Sequence, residues 1–290
     1  MFEGMLTALV TPFRDDAVDE AALRELVESQ IAAGIDGLVP CGSTGESATM
    51  THSEHRRVME IVVEAAAGRV PVVAGTGSNN TREAVELTRH ARDAGAQGAL
   101  LISPYYNKPT QEGLLAHYRA VADEVGLPLL VYNIPGRTAS NVLPETIAQL
   151  ARHPQIVGVK EASGNLNQVA EVIRTCPDNF SVLSGDDALT LPLLGIGGCG
   201  VISTSANVAP REMAELVSAF REGDAVRAQE IHYRLMPLFD ALFCETNPIP
   251  VKTALAMMGV IGPEIRLPLL PLSEPHQEPL RAVLKDLGVL

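Results

Sequence analysis

Several side chains in this sequence have the types and positions needed for carbonyl chemistry: Lys160, Tyr132, the pair Ser43-Thr44, and Arg137. Lys160 closes the apolar run Ile156-Val157-Gly158-Val159-Lys160, which predicts an ammonium at the end of a buried strand. Desolvation disfavours the charged form there, and a lysine lowered from about 10.4 toward ~7–8 becomes an amine nucleophile for a carbonyl carbon. A lone strand-end lysine more often snorkels to solvent or to a carboxylate, so its neighbours decide. Tyr132 ends the preceding strand, where a phenol can act on an imine as general acid and base; alone it reads as a core aromatic. Ser43 and Thr44 lie between glycines in Gly42-Ser43-Thr44-Gly45 and can offer hydroxyls and backbone N–H groups to a carboxylate, or simply form a small-residue turn. Arg137, in the Gly/Pro-rich loop past Tyr132, suits a second carboxylate through a bidentate fork; a solvated arginine is the bland alternative.

For these residues to meet, successive strand ends must converge on one face. Short apolar runs at residues 5–11, 36–40, 70–75, 97–103, 127–132, 156–160, 180–184 and 199–203 read as eight strands, separated by amphipathic helices. Near-continuous apolar runs are the mark of parallel strands covered on both faces. Asp19 opens the first helix and Gly34 closes it; Thr51 or Ser53 caps the second, with Ser53-x-x-Arg56 lacking the acidic half of a capping box; Thr81 heads the third and Gly95 ends it. Regular alternation without a linker predicts an α/β (β/α)8 barrel over residues 1–222, with an open doubly wound sheet as the alternative. Strand signals then cease, and residues 224–243, 248–259 and 275–287 read as a helical C-terminal region, 223–290. In such a barrel, catalytic groups collect where the strands end.

The 290 residues carry a formal charge of −13, which argues against a nucleic-acid partner, because phosphate neutralisation needs a clustered surplus of Lys and Arg. No signal peptide is visible, and the uncharged stretch from Ala188 to Pro210 is interrupted by Pro192 and four glycines, so no membrane association is expected and a cytoplasmic protein is predicted. Cys41, Cys176, Cys199 and Cys244 lie far apart, as reduced thiols do. No cluster has metal-ligand spacing: His52 and His55 read as capping or surface groups, and Asp186-Asp187 as an acidic pair at a helix N-terminus.

The blocks Gly42-Ser43-Thr44-Gly45-Glu46-Ser47, Ala74-Gly75-Thr76-Gly77, Pro104-Tyr105-Tyr106-Asn107, Tyr132-Asn133-Ile134-Pro135-Gly136-Arg137-Thr138, Gly158-Val159-Lys160-Glu161-Ala162 and Asn247-Pro248-Ile249-Pro250-Val251-Lys252 together carry a resemblance over essentially the whole chain. The sequence resembles the pyruvate-dependent class I aldolases and lyases, and among them the 4-hydroxy-tetrahydrodipicolinate synthase (dihydrodipicolinate synthase) family. The resemblance implies that Lys160 condenses with pyruvate, whose carboxylate rests on Ser43, Thr44 and the backbone near Ile202. The resulting enamine would attack L-aspartate 4-semialdehyde, with Arg137 holding its carboxylate. Tyr132 would pass protons through Thr44 to Tyr106 of a neighbouring subunit. No cofactor is implied beyond the substrate's own Schiff base. The family usually has two threonines where this chain has Ser43-Thr44; the hydroxyl is kept.

The resemblance further implies a feedback site for L-lysine made of Ser47, Ala48, His52, His55, Asn79, Glu83 and Tyr105, and a homotetramer built as a dimer of dimers. Two other readings stand beside it. One is another Schiff-base aldolase on the same barrel, such as an N-acetylneuraminate lyase or a 2-keto-3-deoxy sugar acid aldolase, disfavoured by Arg137 after Pro135-Gly136 and by Tyr105-Tyr106-Asn107. The other is a silent pyruvate- or lysine-binding barrel, whose signature would be loss of Lys160, Tyr132 or Tyr106; all three are present.

Overall fold

A computed structural model describes residues 2–290. Eight strands, β1 (Gly4–Ala8), β2 (Gly37–Val39), β3 (Val73–Gly75), β4 (Gly98–Ile102), β5 (Leu129–Asn133), β6 (Ile156–Glu161), β7 (Ser181–Ser184) and β8 (Gly200–Ser203), pair in parallel in the order β2-β1-β8-β7-β6-β5-β4-β3. A parallel bridge between Leu38 and Val72, with the Gly75 amide donating to the Pro40 carbonyl at 2.8 Å, joins the two ends and closes the ring. The closed barrel excludes the open doubly wound sheet. Two strands begin later than their apolar runs, β3 at Val73 and β5 at Leu129, because Pro71 and Pro128 have no N–H for the ladder.

The helices, in chain order, are α1 (Glu20–Ala32), α2 (His52–Ala66), α3 (Thr81–Ala94), α4 (Gln111–Val125), α5 (Pro135–Thr138), α6 (Pro144–Leu150), α7 (Leu166–Thr175), α8 (Thr190–Gly195), α9 (Pro210–Arg221), α10 (Ala225–Leu242), α11 (Ile249–Met257) and α12 (Glu274–Leu287). Asp19 caps α1 through a bond from the Ala22 amide. Gly34, at φ 87°, lies just beyond the end of α1, where Ala33 is the cap. A full capping box opens α2, contrary to the expectation built on Ser53. Thr51 accepts from the Glu54 amide, and Glu54 accepts from the Thr51 amide at 2.8 Å. Arg266 and these Thr51 bonds hold the Glu54 carboxyl down at about 2, with burial opposing them. Thr81 is the first residue of α3 and Gly95 closes it, as expected, with the Asn80 side chain as the N-cap. A short antiparallel hairpin, Phe13–Arg14 against Ala17–Val18, was not foreseen; Asp15 and Asp16 turn it with positive φ values of 53° and 57°.

Two apolar layers follow from the strand alternation. Leu6, Ala8, Val39, Val73, Leu100, Leu130, Tyr132, Leu183 and Ile202 fill the barrel interior. Intervening residues such as Met5, Leu101, Val131 and Val159 pack outward against the helices. Odd and even positions of β5 therefore separate, and Tyr132 falls on the inner set.

Beyond β8, α10 packs along α9 and α12. The four cysteines are free. Among the described residues no helix is long and apolar enough to cross a membrane, and no cluster of three His, Cys, Asp or Glu is placed to hold a metal.

Candidate active site

Adjacent strands β5 and β6 set Tyr132 opposite Lys160 in register, and both point into the barrel. The Lys160 Nζ lies 4.4 Å from the centre of the Tyr132 ring, and the lysine is 6% exposed. Burial pulls the Lys160 pKa down to about 8; the Asp187 carboxylate opposes the fall and the Arg137 guanidinium adds to it. Burial likewise pushes the Tyr132 phenol up to about 12, with Arg137 and the Ser43 hydroxyl pulling the other way. At neutral pH the pair is therefore a neutral phenol beside an amine that readily gives up its proton. A nucleophile and an acid/base group held at one spot are the elements of imine chemistry.

The path of the Lys160 side chain is cut by an absent one. A Cβ on Gly185, just past β7, would sit 2.9 Å from Lys160 Cε and 3.1 Å from its Cγ, closer than such atoms pack. Two residues on, Asp187 stands with Asp186 at a helix N-terminus as expected, and it is buried. Its Oδ2 accepts from the Ser205 amide at 2.8 Å and the Ser205 hydroxyl at 2.7 Å. Burial raises its pKa, against the Ser203 and Ser205 bonds. Asp186 does fill the expected capping role, accepting from the Ala188 amide at 3.0 Å.

The loop after β2 brings in Ser43 and Thr44. Thr44 is buried, accepting from the Asn247 side-chain amide at 2.9 Å and lying 3.3 Å from the Thr204 hydroxyl. Its backbone is pinned by neighbours. Thr11 donates to the Gly45 carbonyl at 2.8 Å, and Glu46, in a left-handed conformation at φ 52°, forms a fully buried ion pair with Lys252 of α11. Lys252 also lies over the Phe13 ring at 4.3 Å, which gives the hairpin a purpose. Arg137, in the short α5, donates to the Asn247 carbonyl at 3.0 Å. Ile202 is buried in β8. Asn133 and Glu161 form a brace behind the site, with the Asn133 amide donating to Glu161 at 3.0 Å and accepting from the Val142 amide at 2.9 Å.

A cavity of about 480 Å³ is lined by Ser43, Tyr132, Arg137 and Asn247, and it extends to Ser47, Ala48, His52, His55, Glu83 and Tyr105. His52 bonds Glu83 at 2.8 Å, and Ser78 also donates to Glu83. His55 is buried rather than capping, its Nε2 bonded to the Gly75 carbonyl at 2.7 Å, and burial lowers its pKa. Asn79 donates to the Tyr105 carbonyl at 3.1 Å without lining the cavity. Tyr106 is not brought to Tyr132 within the chain: it is 90% exposed, on a residue with φ 71°.

The profile of the Dihydrodipicolinate synthetase family matches residues 1–287. The chain belongs to this family. A 4-hydroxy-tetrahydrodipicolinate synthase of Nitratidesulfovibrio vulgaris (strain DP4) is 59% identical over 290 residues, 100% of this chain and 99% of that one. Among solved structures, a dihydrodipicolinate synthase from Acinetobacter baumannii complexed with pyruvate is 45% identical at a TM-score of 0.98, covering 100% of both chains. The enzyme from Cyanidioschyzon merolae with lysine bound is 43% identical at a TM-score of 0.97, covering 100% of this chain and 99% of that one.

Within this family frame, the sequence offered no role for Gly185, Thr204 or Asn247, and marked Asp187 only as one of an acidic pair at a helix N-terminus. Asn247 did stand in one of the blocks that carried the resemblance, and that was its only signal.

Proposed function

We propose that the chain is a 4-hydroxy-tetrahydrodipicolinate synthase: it condenses pyruvate with L-aspartate 4-semialdehyde, the first committed step toward diaminopimelate and lysine. The observation that carries this reading is a buried Lys160 with its pKa drawn down to about 8, seated against Tyr132. The neutral Nζ attacks C2 of pyruvate, and water leaves to give the imine. Loss of a C3 proton gives the enamine, whose C3 attacks the aldehyde carbon of the semialdehyde. The substrate's own amine then adds to the imine carbon and displaces Lys160, closing the ring and freeing the enzyme without a cofactor.

In this reading Ser43, Thr44 and the backbone near Ile202 hold the pyruvate carboxylate, and Arg137 holds that of the semialdehyde. Tyr132 exchanges the protons, and because its phenol bonds the Ser43 hydroxyl, the relay toward Tyr106 runs through Ser43 rather than through the expected Thr44. The exposed ring of Tyr106 supports its insertion into a neighbouring subunit, and so an assembly of dimers, expected as a homotetramer in the cytoplasm. Residues 1–222 would be the catalytic barrel, and residues 223–290 a helical unit that buttresses it. The cavity arm lined by His52, His55 and Glu83, with Ser47, Ala48, Asn79 and Tyr105 around it, suits the two amines and the carboxylate of L-lysine as a feedback inhibitor. Such inhibition requires lysine to act differently on the two states of the active site.

Incubation with pyruvate and sodium borohydride, followed by peptide mass spectrometry, tests the reading. A reduced pyruvyl adduct on Lys160, absent from Lys160→Ala, is the expected result; an adduct on Lys108 instead, or none, overturns it. A panel of aldehydes then separates the semialdehyde from sugar acceptors.

A further inference from the structure

We propose that Asn133 is a positioning residue for the acceptor aldehyde: its side-chain amide, oriented by the Glu161 carboxylate, ties together the two ends of the loop that carries Arg137. Tyr132 and Lys160 face into the barrel, so the next residue on each strand, Asn133 and Glu161, faces outward, and these two are again partnered in register. The inference rests on the role proposed above for Arg137 and on no step of the proton relay.

Arg137 sits in the four-residue α5, a single turn with no side-chain cap, after which Ala139 turns the chain at φ 55°. A helix this short does not hold its own shape. Asn133 supplies the tie. Its Oδ1 accepts from the Val142 amide at 2.9 Å, and its Nδ2 donates to the Asn141 side-chain carbonyl at 2.9 Å, so one side chain closes the loop from residue 133 to residue 142. The Asn141 main chain is held from outside as well, its carbonyl accepting from the Gln111 side chain of α4 at 2.9 Å.

What points the amide this way is Glu161. Asn133 Nδ2 also donates to Glu161 Oε2 at 3.0 Å, where the Gln168 side chain joins it at 3.3 Å, while Glu161 Oε1 accepts from the Ser163 amide at 2.7 Å. With the Asn133 amide flipped, its oxygen would face a carboxylate and its N–H groups would face the Val142 N–H, so only one orientation satisfies the cluster. Asn133 is fully buried and Glu161 is 3% exposed, so a bond lost here is not replaced by one to water. All three donors to Glu161 are neutral amides, yet glutamine would not serve in its place: both carboxylate oxygens are occupied, and glutamine has only one acceptor oxygen. The register of Tyr132 against Lys160 has its own support in the ladder, where the Ala162 amide donates to the Asn133 carbonyl at 2.9 Å. Loosening the clamp therefore frees the Arg137 loop and leaves the nucleophile in place.

The test uses full-length protein in four variants: Asn133→Ala, Glu161→Gln, Arg137→Ala and the double Glu161→Gln/Arg137→Ala. Glu161→Gln keeps the shape and removes one acceptor, so it reads the role even if Asn133→Ala fails to fold. In the Asn133 and Glu161 variants the KM for the semialdehyde should rise about 5- to 50-fold, with kcat and the rate of borohydride trapping of pyruvate on Lys160 within about threefold of parental. A defect of packing alone would weaken both halves of the reaction together. The double variant should raise that KM no more than about twofold beyond Arg137→Ala, since residues acting through one contact are not additive. A Glu161→Gln protein with parental KM for the semialdehyde, an equal loss in pyruvate trapping, or a double variant whose KM rise is the product of the two single rises, overturns the proposal. Arg137→Ala with parental KM for the semialdehyde instead overturns the site reading of Arg137 and the proposal with it.

Discussion

Lys160 and Tyr132 occupy partnered positions on adjacent parallel strands, and the register alone brings the amine 4.4 Å from the centre of the phenol ring. Neither side chain has to be steered by a loop. Sites built on rigid strands hold their geometry more closely than sites on mobile segments. The groups proposed to hold substrate, by contrast, come from loops that depend on distant ties.

In the proposed mechanism Lys160 reacts as the neutral amine. With a pKa of about 8, the rate of pyruvate capture by the free protein should climb with pH below 8 and level above it. Asp187 favours the ammonium, so Asp187→Asn should lower that pKa and move the rising limb to lower pH. Stopped-flow trapping across pH 6–10 reads the shift; an unchanged or upward-shifted limb would show that Asp187 does not act on Lys160.

In the proposed mechanism Tyr132 enters the reaction protonated, since burial pushes its pKa up to about 12. Tyr132→Phe keeps the ring over the amine and removes the proton. The expected loss in kcat is about 10²–10⁴-fold with the far-UV circular dichroism unchanged. A loss under tenfold would assign the proton transfers to water or to another group.

Gly185 is the tightest check on lysine geometry. The added methyl of Gly185→Ala would stand 2.9 Å from Lys160 Cε and 2.7 Å from Ala162 Cβ, and the flexible lysine is the side chain that can yield. Misplacing a reacting group by about 1 Å can cost 10²-fold, so kcat/KM for pyruvate should fall by roughly 10- to 100-fold. Unchanged kinetics would mean that the amine reaches its position by another rotamer.

Much of this was legible in the sequence because the barrel writes itself in continuous apolar runs, each ending in polar or glycine-rich residues. Lys160 and Tyr132 are visible for that reason: they close two such runs. The capping box of α2 was equally readable as Thr51-His52-Ser53-Glu54, and counting from Ser53 passes over it. Asp187 was not legible, since burial beside Lys160 depends on how β7 and β8 pack, and an Asp-Asp pair before a helix looks the same in either setting. Nor was Asn247. Its partner Thr44 lies 203 residues away, and no local periodicity encodes a contact between a loop and a helical extension.

If Tyr106 completes a neighbour's site, two inactive proteins should repair one another. A Lys160→Ala subunit still offers Tyr106, and a Tyr106→Phe subunit still offers Lys160. Dissociated, mixed in equal amounts and reassociated, random pairing makes half of the dimers mixed, each with one intact site of two. About a quarter of parental activity should return. No recovery beyond the sum of the separate proteins would place the relay within a single chain.

The Glu46–Lys252 pair makes the strongest prediction about stability, because both charges are buried and each is the other's answer to desolvation. Burial lowers the Lys252 pKa while Glu46 opposes it. Removing one partner leaves an uncompensated buried charge, so Lys252→Met should destabilise the fold by about 3–5 kcal/mol, measured by urea unfolding. Replacing both, as in Glu46→Gln/Lys252→Met, should restore part of that loss, since two neutral groups carry no such penalty. Because Glu46 holds the backbone two residues beyond Thr44, the single variant should also lose pyruvate affinity at temperatures where it remains folded. The double variant separates the effects: recovered stability with persistently weak pyruvate binding would mean that the ion pair sets the loop geometry, while recovery of both would make charge neutrality alone its role.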